Sequence, residues 1–224
     1  YFGYARQDRK DKPRVPISAK LMLDLIEAVG VNRIITMDLH SPQVQGFVNV
    51  PFDHLYSSMA VLEGLKKLNL DSSDGVVLSP DMGSARMSQS YAKKLNIGFA
   101  LIDKRRPKPN QAEVTNVVGE LENKHVLIID DMIDTAGTIC NAADIAMERG
   151  AKKVIAVGTH PVLSDISIKR LEESKIEQVI VCDTIKVPDS KKFNKLKIIS
   201  VSHVFGESIR RIIHGDSLSS MFKN

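Results

Sequence analysis

The sequence predicts an α/β protein whose central sheets are mainly parallel. Short runs rich in Ile and Val alternate with longer stretches of helical character along most of the chain. These runs do not alternate apolar with polar residues, which indicates strands buried on both faces, as in a parallel sheet covered by helices. A second observation is that acidic, basic and imidazole side chains repeatedly follow such runs.

The first predicted element is a helix that starts after Ile17. Ser18 is the predicted N-cap, and Gly30 ends the helix because glycine readily adopts the left-handed conformation that follows many helices. Leu21, Leu25 and Val29 recur at helical spacing, which predicts the apolar stripe that faces the core.

The rest of the chain continues as alternating strands and helices. Each predicted strand is a short aliphatic run, and each predicted helix carries apolar residues at helical spacing. The strands are RIITM, GVVLS, FALI, HVLII, KVIAVG, QVIVC and KIISV. The helices are SSMAVLEGLKKLN, SQSYAKKLN, TICNAADIAMERG, SIKRLEES and ESIRRIIH.

Polar side chains follow five of the predicted strands, each just past the carboxyl end. In an open parallel sheet these ends meet at one edge, where crossover connections leave a crevice and helix N-termini point into it. We therefore expect the polar residues to form one site. They are Asp38 with His40, Asp81, Lys104, Asp130 with Asp131, and Thr159 with His160.

The composition excludes several classes of function. The 224 residues are 43% hydrophobic and 26% charged, which suits one large or two small globular domains. The net charge of +4 is too small for a nucleic-acid-binding surface, and the absence of Trp argues against a base-stacking platform. No apolar run approaches the roughly 18 residues of a membrane span. We expect neither nucleic acid nor a membrane as partner.

Cysteine use and the first residue bear on the cellular context. Cys140 and Cys182 have no metal-ligand spacing and indicate no disulfide framework. We therefore expect a location in the reducing cytoplasm. The chain begins at Tyr1 without Met, within what reads as a strand and loop, so we also expect a preceding segment in the natural protein.

The most informative stretch is VLIIDDMIDTAGT, residues 126–138. The loop Asp134–Thr138 combines Gly137, backbone N–H groups and two hydroxyls at a predicted helix start, which is typical of a phosphate cradle. An ordinary N-cap with a turn glycine is the alternative. It leaves Asp130 and Asp131 unexplained, because paired carboxylates accept hydrogen bonds from vicinal hydroxyls or hold a cation. Loop and acids together predict a ribose phosphate as ligand.

The stretch TMDLHSPQVQGF indicates a second group of ligands. Asp38 and His40 are two residues apart, so on an extended strand end both side chains would leave the same face. Asp81 could add another ligand, and oxygen-rich ligation suits magnesium, although the imidazole leaves manganese or zinc open. For the Asp-x-His pair alone, a hydrogen-bonded core histidine is the alternative.

Two basic segments complete the candidate site. The segment IDKRRPKPNQAEV has the composition of a mobile loop that closes over phosphates, and a solvated linker is the alternative. In YARQD, Arg6 and Gln7 could bind a base or a phosphate, or could be ordinary surface residues.

These motifs resemble those of the ribose-phosphate pyrophosphokinase family, and the resemblance covers the whole chain. An Asp-Asp-x-x-Asp-Thr-x-Gly-Thr loop alone would also fit phosphoribosyltransferases, whereas the DLH motif, the basic loop and YARQD favour the pyrophosphokinases. The matching stretches, in order, are FGYARQDRK, TMDLHSPQVQGF, SPDMG, DKRRPKPN, IDDMIDTAGT, THPVLS, SIRRII and SLSSMF.

The resemblance implies an activity. The anomeric hydroxyl of ribose 5-phosphate would attack the β-phosphorus of MgATP to give phosphoribosyl pyrophosphate and AMP, for nucleotide biosynthesis. Mg²⁺ is the implied cofactor, with Mn²⁺ as the alternative. ADP and inorganic phosphate are the implied candidate regulators, and a homo-oligomer of dimers that form a hexamer is the implied assembly.

The resemblance also implies a role for each matching residue. The ribose 5-phosphate would be bound by Asp130, Asp131, Asp134, Thr135, Ala136, Gly137 and Thr138. ATP would be bound by Arg6, Gln7 and His40, and the metal by His40 and Asp81. Lys104 and Arg106 match the catalytic positions that stabilise the transferring pyrophosphoryl group.

The family layout has two phosphoribosyltransferase-like domains. It implies that residues 1–56 are the C-terminal part of the first domain, that 57–215 form the second, and that 216–224 return to the first. The chain departs from the family pattern at Ser84, where a second glycine is usual, and at Met87, where Arg is common. These departures keep open a non-catalytic, synthetase-associated regulatory subunit, and a phosphoribosyltransferase is the third alternative.

Overall fold

A computed structural model describes residues 1–68, 70–71, 73–105 and 114–222 of the chain. The chain divides into two compact units, Tyr1–Ser57 and Ser58–Asn224. The first carries a two-stranded sheet and the second a seven-stranded sheet. The prediction that residues 216–224 return to the first domain stays a prediction.

The first unit packs one helix and a short parallel sheet around a small core. The core is formed by Ala19, Leu23 and Val44, with Phe2 and Phe52 among the partly buried side chains that pack against it. The elements are helix α1 (Ser18–Ala28), strand β1 (Ile34–Met37), a 3₁₀ turn (Pro42–Phe47) and strand β2 (Phe52–Leu55), which pairs parallel to β1.

Helix α1 corrects two predictions made from the sequence. Ser18 is the first helical residue rather than the N-cap, and Ile17 at the N-cap position carries no side-chain cap. The predicted stripe was also wrong, because Leu21, Leu25 and Val29 are 51%, 53% and 81% exposed while the helix buries Ala19 and Leu23 on another face. Both stripes have helical spacing, and only the position of the core decides between them.

The second unit follows the predicted order of alternating strands and helices. Its helices are α2 (Ser58–Lys66), α3 (Ala85–Leu95), α4 (Gly137–Glu148), α5 (Asp165–Glu173) and α6 (Ser202–His214). Its strands are β3 (Gly75–Ser79), β4 (Gly98–Arg105), β5 (Val114–Val118), β6 (His125–Ile133), β7 (Lys153–Pro161), β8 (Gln178–Cys182) and β9 (Leu196–Ile199).

The strand order in the large sheet is β5-β4-β3-β6-β7-β8-β9. All neighbours pair parallel except β5, which runs antiparallel to β4. Consecutive residues Val126, Leu127, Ile128 and Ile129 of β6 are each at most 1% exposed, so both faces of this central strand are covered. The predicted α/β class with a mainly parallel central sheet is confirmed.

The sequence pattern missed some features of the sheets. Strands β2 and β5 were not predicted, and the strand that carries Asp38 and His40 belongs to the small sheet of the first unit. Strands β4, β6 and β7 are longer than their aliphatic runs. Lys104, Asp130, Asp131, Thr159 and His160 therefore lie within the ends of their strands rather than after them.

Within the described part of the chain, we find no helix that is both long enough and apolar enough to cross a membrane.

Candidate functional site

The loop Asp134–Thr138 connects strand β6 to helix α4. Ala136 has a left-handed backbone conformation with φ of 60°, which turns the chain from the strand into the helix. The first turn of a helix leaves N–H groups without intrahelical acceptors, and the N-cap residue Ala136 has no polar side chain to cap this one. The loop therefore offers backbone donors and the positive end of the helix dipole to an anion.

The side chains of this loop point in different directions. Ala136 is 5% exposed and packs in the hydrophobic core of the second unit, which fixes the middle of the loop. Thr135 and Thr138 are exposed, so hydroxyl groups on both sides of that anchor are accessible to a ligand. These accessible hydroxyls are compatible with a phosphate cradle, and that assignment stays a prediction.

Two carbonyl groups of the loop bond to helix α5 and the residue before it. The N–H of Ser164 donates to the carbonyl of Asp134 at 3.2 Å. Nη1 of Arg170 donates to the carbonyl of Thr135 at 3.0 Å. Carbonyl oxygens carry partial negative charge and repel an anion. These two hydrogen bonds keep the carbonyls of Asp134 and Thr135 directed toward donors of the protein.

Asp130 and Asp131 lie near the end of strand β6, three residues before the loop. The N–H of Asp131 donates to Oδ1 of Asp130 at 3.0 Å, and Asp131 is 9% exposed. Burial and the neighbouring carboxyl groups of Asp131 and Asp81 raise the pKa of Asp130 to about 7. The structure thus brings together the two acids that the sequence paired.

Ser84 links Asp81 to this pair. Its hydroxyl donates to Oδ1 of Asp130 at 2.7 Å, and its N–H donates to Oδ1 of Asp81 at 3.0 Å. The hydroxyl bond opposes the rise in the pKa of Asp130 because it favours the ionised carboxylate. Sequence reasoning treated Ser84 only as a departure from a family pattern, and the structure places it between two predicted site residues.

Gly158 is a second residue that sequence reasoning missed. It lies on strand β7 directly opposite Asp130. A Cβ at this position would come within 2.5 Å of Cγ1 of Ile133, the residue before the phosphate loop. The glycine at the end of the KVIAVG run was the available signal, because glycine inside a strand often marks a close approach.

The residues predicted to bind ATP lie in the first unit. Arg6, Gln7 and His40 are exposed. The hydroxyl of Ser41 donates to Oδ2 of Asp8 at 2.7 Å, which ties the YARQD segment to the segment that contains His40. The structure therefore places these two motifs side by side within one unit.

The expectation that Asp38 and His40 leave the same face of a strand was wrong. Asp38 has a φ of 38°, so the chain is no longer extended after β1. Asp38 is 4% exposed and accepts a hydrogen bond from the N–H of Ser57 at 3.2 Å, whereas His40 is exposed. Asp38 holds the backbone in place, and only His40 is accessible to a ligand.

His54 supports the same segment from strand β2. The N–H of Leu39 donates to Nε2 of His54 at 2.9 Å, which requires that this nitrogen carry no proton. Burial lowers the pKa of His54, while the charge of Asp38 opposes that shift. The neutral ring therefore keeps its acceptor for the residue that precedes His40.

Of the two predicted catalytic residues, Lys104 and Arg106, the structure describes only the backbone of the first. The backbone of Lys104 belongs to β4 and pairs with Thr115 of β5. Arg106 lies outside the described residues.

Comparisons with known proteins agree along the whole chain. Residues 1–30 match the model of the N-terminal domain of ribose phosphate pyrophosphokinase. Residues 105–223 match the model of the phosphoribosyl synthetase-associated domain. The ribose-phosphate pyrophosphokinase of Chlorobaculum tepidum is 49% identical over 99% of this chain and 68% of its own length. That of Aquifex aeolicus is 48% identical over 99% of this chain and 71% of its own length.

A solved structure gives the same result. The crystal structure of phosphoribosylpyrophosphate synthetase from Mycobacterium smegmatis is 38% identical and has a TM-score of 0.86. It covers 96% of this chain, which in turn covers 70% of that structure. This chain belongs to the ribose-phosphate pyrophosphokinase family. The predicted family and the prediction that the chain is an enzyme are confirmed.

Ribose-phosphate pyrophosphokinases are generally Mg²⁺-dependent. The acidic cluster, which consists of Asp81, Asp130 and Asp131, has the carboxyl oxygens that Mg²⁺ prefers. Burial and the neighbouring carboxyl groups of Asp131 and Asp81 raise the pKa of Asp130, and a cation would offset the part of this rise that comes from charge repulsion. Among the described residues, no group of three or more His, Cys, Asp or Glu side chains is arranged to hold a metal ion.

Proposed function

We propose that this chain transfers the pyrophosphoryl group of ATP to the anomeric hydroxyl of ribose 5-phosphate, which gives phosphoribosyl pyrophosphate and AMP. One observation carries the proposal: Asp130 and Asp131 lie near the end of strand β6, and the strand leads directly into the loop Asp134–Thr138 that opens helix α4. A sugar phosphate has an anion for the loop and vicinal hydroxyls for the acids, so one ligand satisfies both groups.

The loop binds the 5-phosphate. Backbone N–H groups at the start of α4 and the exposed hydroxyls of Thr135 and Thr138 donate to its oxygens. Asp130 and Asp131 accept hydrogen bonds from the ribose hydroxyls. Held at both ends, the sugar keeps its anomeric oxygen in a fixed position for attack on the β-phosphorus of ATP, and such alignment supplies much of the catalysis in phosphoryl-type transfer.

The remaining assigned residues act on ATP. Arg6, Gln7 and His40 bind the nucleotide, and Lys104 and Arg106 stabilise the negative charge that develops on the transferring group. His40 and Asp81 would hold Mg²⁺, which supplies charge neutralisation on the triphosphate when bound. The reaction needs no covalent intermediate on the protein, because the sugar hydroxyl is itself the nucleophile.

The same proposal includes the cellular role of the reaction, its regulators and the assembly of the protein. The reaction supplies phosphoribosyl pyrophosphate for nucleotide biosynthesis in the cytoplasm. ADP and inorganic phosphate are the proposed regulators, since both resemble parts of the substrates. The proposed assembly is a homo-oligomer of dimers that form a hexamer.

The deciding experiment measures AMP formed from MgATP with and without ribose 5-phosphate. We expect AMP only when the sugar phosphate is present. Binding of ribose 5-phosphate without AMP formation would instead indicate the regulatory subunit. Consumption of phosphoribosyl pyrophosphate with a purine or pyrimidine base would indicate the phosphoribosyltransferase.

The Lys104→Ala variant tests the catalytic assignment in the same assay. Turnover should fall by orders of magnitude while ribose 5-phosphate binds almost unchanged, because a cation that faces developing charge acts mainly in the transition state. Lys94→Ala on α3, at an exposed lysine, is the matched control and should be neutral. If Lys104→Ala abolished sugar phosphate binding instead, its assignment to the transferring group would be wrong.

A further inference from the structure

Arg170 on helix α5 lies beside the phosphate loop, and the function proposed above gives it no role. Its Nη1 donates to the carbonyl of Thr135 at 3.0 Å. The same nitrogen is 3.5 Å from the position that a Cβ on Gly137 would occupy. A permanent positive charge therefore lies within a few ångströms of the first helical residue of α4.

Helix α5 is fixed at both ends, so the position of Arg170 is well determined. At its start, the N–H of Ser164 bonds to the carbonyl of Asp134. Near its end Leu171 is fully buried, and Nζ of Lys195 donates to the carbonyls of Leu171, Glu172 and Ser174 at 2.8–3.2 Å. A side chain on such a support holds its partner more closely than one on a loop would.

The contact also connects α5 to α4. Sγ of Cys140, on the first turn of α4, lies 3.7 Å from the backbone carbonyl of Arg170. The side chain of Arg170 thus contacts the loop while its own backbone contacts the helix that the loop opens. The loop Asp134–Thr138 and helices α4 and α5 are therefore connected to one another by hydrogen bonds.

Two physical effects of Arg170 favour an anion in the loop. The hydrogen bond fixes the carbonyl of Thr135, which keeps a negative dipole from turning toward the ligand. The guanidinium is always ionised, so it adds a positive charge to the partial charge of the helix N-terminus. In partly solvated surroundings, one charge several ångströms away is worth on the order of a tenfold change in affinity for an anion.

We propose that Arg170 is a positioning residue for the phosphate group of the substrate. It holds the Thr135 carbonyl and supplies positive charge behind the phosphate loop, without contacting the reacting atoms. The inference rests on the proposed function, because it assumes that the loop binds the phosphate of ribose 5-phosphate. It predicts an effect on sugar phosphate binding that is separate from any effect on ATP or on turnover.

Three substitutions in the full chain test this role. Arg170→Met removes charge and donor, Arg170→Gln keeps a donor, and Arg170→Lys keeps a charge. Calorimetric titration with ribose 5-phosphate should give a Kd raised on the order of tenfold for the Met variant, less for Gln and least for Lys. The KM for ATP and the kcat at saturating substrates should stay near those of the unmodified chain.

The salt dependence separates an electrostatic role from a merely structural one. The loss of affinity in Arg170→Met should shrink as ionic strength rises, because salt screens the missing charge. Lys169→Met is the matched control, since Lys169 is the preceding residue of the same helix and its exposed side chain faces Glu173. It should leave the Kd for ribose 5-phosphate unchanged at every salt concentration.

The outcomes distinguish this inference from the proposed function. If the unmodified chain binds ribose 5-phosphate and Arg170→Met binds it equally well, only the role of Arg170 is overturned. If the unmodified chain does not bind ribose 5-phosphate, the proposed function and this inference are both overturned. Should the Met variant fail to fold, equal Kd values for the Gln, Lys and unmodified proteins would still contradict the inference.

Discussion

At the scale of single residues, the acidic cluster combines binding capacity with a cost in stability. Asp130 is placed beside Asp131 and Asp81, and burial together with this neighbouring charge disfavours its ionised form. Groups arranged for a ligand rather than for the fold commonly show such conflict. Ser84 relieves part of it through its hydroxyl bond.

The Asp130→Asn substitution should stabilise the free protein at alkaline pH. The pKa of Asp130 is about 7 in the folded chain against 3.8 for an unperturbed aspartate. The folded state therefore holds a proton that the unfolded state has lost, so stability falls as pH rises from about 4 to about 7. The neutral amide of the variant would carry no such penalty, and its carbonyl oxygen could still accept the Ser84 bond.

Urea denaturation without ligand measures this effect. The variant should exceed the unmodified protein by on the order of 2 kcal/mol at pH 8. The difference should narrow steadily toward pH 5. A difference that is constant with pH, or one of opposite sign, would show that Asp130 is not strained by its ionisation.

The Ser84→Ala substitution should weaken ribose 5-phosphate binding at neutral pH. Losing the hydroxyl donor raises the pKa of Asp130 further, so a smaller fraction of the ionised acceptor is present for the sugar hydroxyls. The acid limb of a plot of affinity against pH should move to higher pH. Ser90→Ala, at an exposed position of α3, is the control. Identical pH profiles for Ser84→Ala, Ser90→Ala and the unmodified protein would contradict the role assigned to Ser84.

At the scale of elements, helices α4 and α5 differ in how their ends are satisfied. At the N-terminus of α4, the N-cap residue Ala136 makes no side-chain cap. At the C-terminus of α5, Lys195 donates to the carbonyls of Leu171, Glu172 and Ser174, and the hydroxyl of Ser174 also donates to the carbonyl of Leu171.

The Lys195→Met substitution should destabilise the protein because it removes the Nζ donor from the carbonyls of Glu172 and Ser174, while the carbonyl of Leu171 keeps its bond from the Ser174 hydroxyl. The ammonium also complements the negative end of the helix dipole, so the expected loss is about 1 to 2 kcal/mol in the free energy of unfolding. Thermal or urea denaturation measures it. Lys197→Met on β9, at an exposed position, should have no comparable effect, and equal losses for the two variants would exclude a capping role.

At the scale of the whole molecule, the assigned residues separate by unit. The sugar phosphate residues Asp130–Thr138 belong to the second unit, and Arg6, Gln7 and His40 belong to the first. The first unit is therefore assigned to ATP alone, whereas the second unit is assigned to the sugar phosphate and, through Asp81, Lys104 and Arg106, also to ATP and its metal. Hydrogen exchange can therefore measure the effect of each substrate on each unit separately.

Ribose 5-phosphate alone should slow amide exchange at residues 129–140 and leave the unit Tyr1–Ser57 unchanged. Bound phosphate shields the loop amides, and a ligand that binds only the folded state suppresses local opening. Addition of MgATP should extend protection to the segments around Gln7 and His40. Protection by the sugar phosphate confined to the first unit would reverse the assignment.

The sequence by itself determined the α/β class, the family and the order of the elements apart from strands β2 and β5. Apolar runs of Val and Ile are buried on both faces in the central strands β3, β6, β7 and β8, and the Asp-Asp-x-x-Asp-Thr-x-Gly-Thr loop is a contiguous segment. Local patterns of this kind depend on near neighbours, so they can be read before any fold is known. The pairing of Asp130 with Asp131 is predictable for the same reason.

Only the tertiary structure decided which faces and which distant residues meet. It buried Ala19 and Leu23 instead of the stripe through Leu21, it turned Asp38 inward through a positive φ, and it brought Ser84 to Asp130 and Arg170 to Thr135. These contacts join residues 35 or 46 positions apart, or depend on where the core lies. Helical spacing and residue type are the same for either face, so packing alone makes that choice.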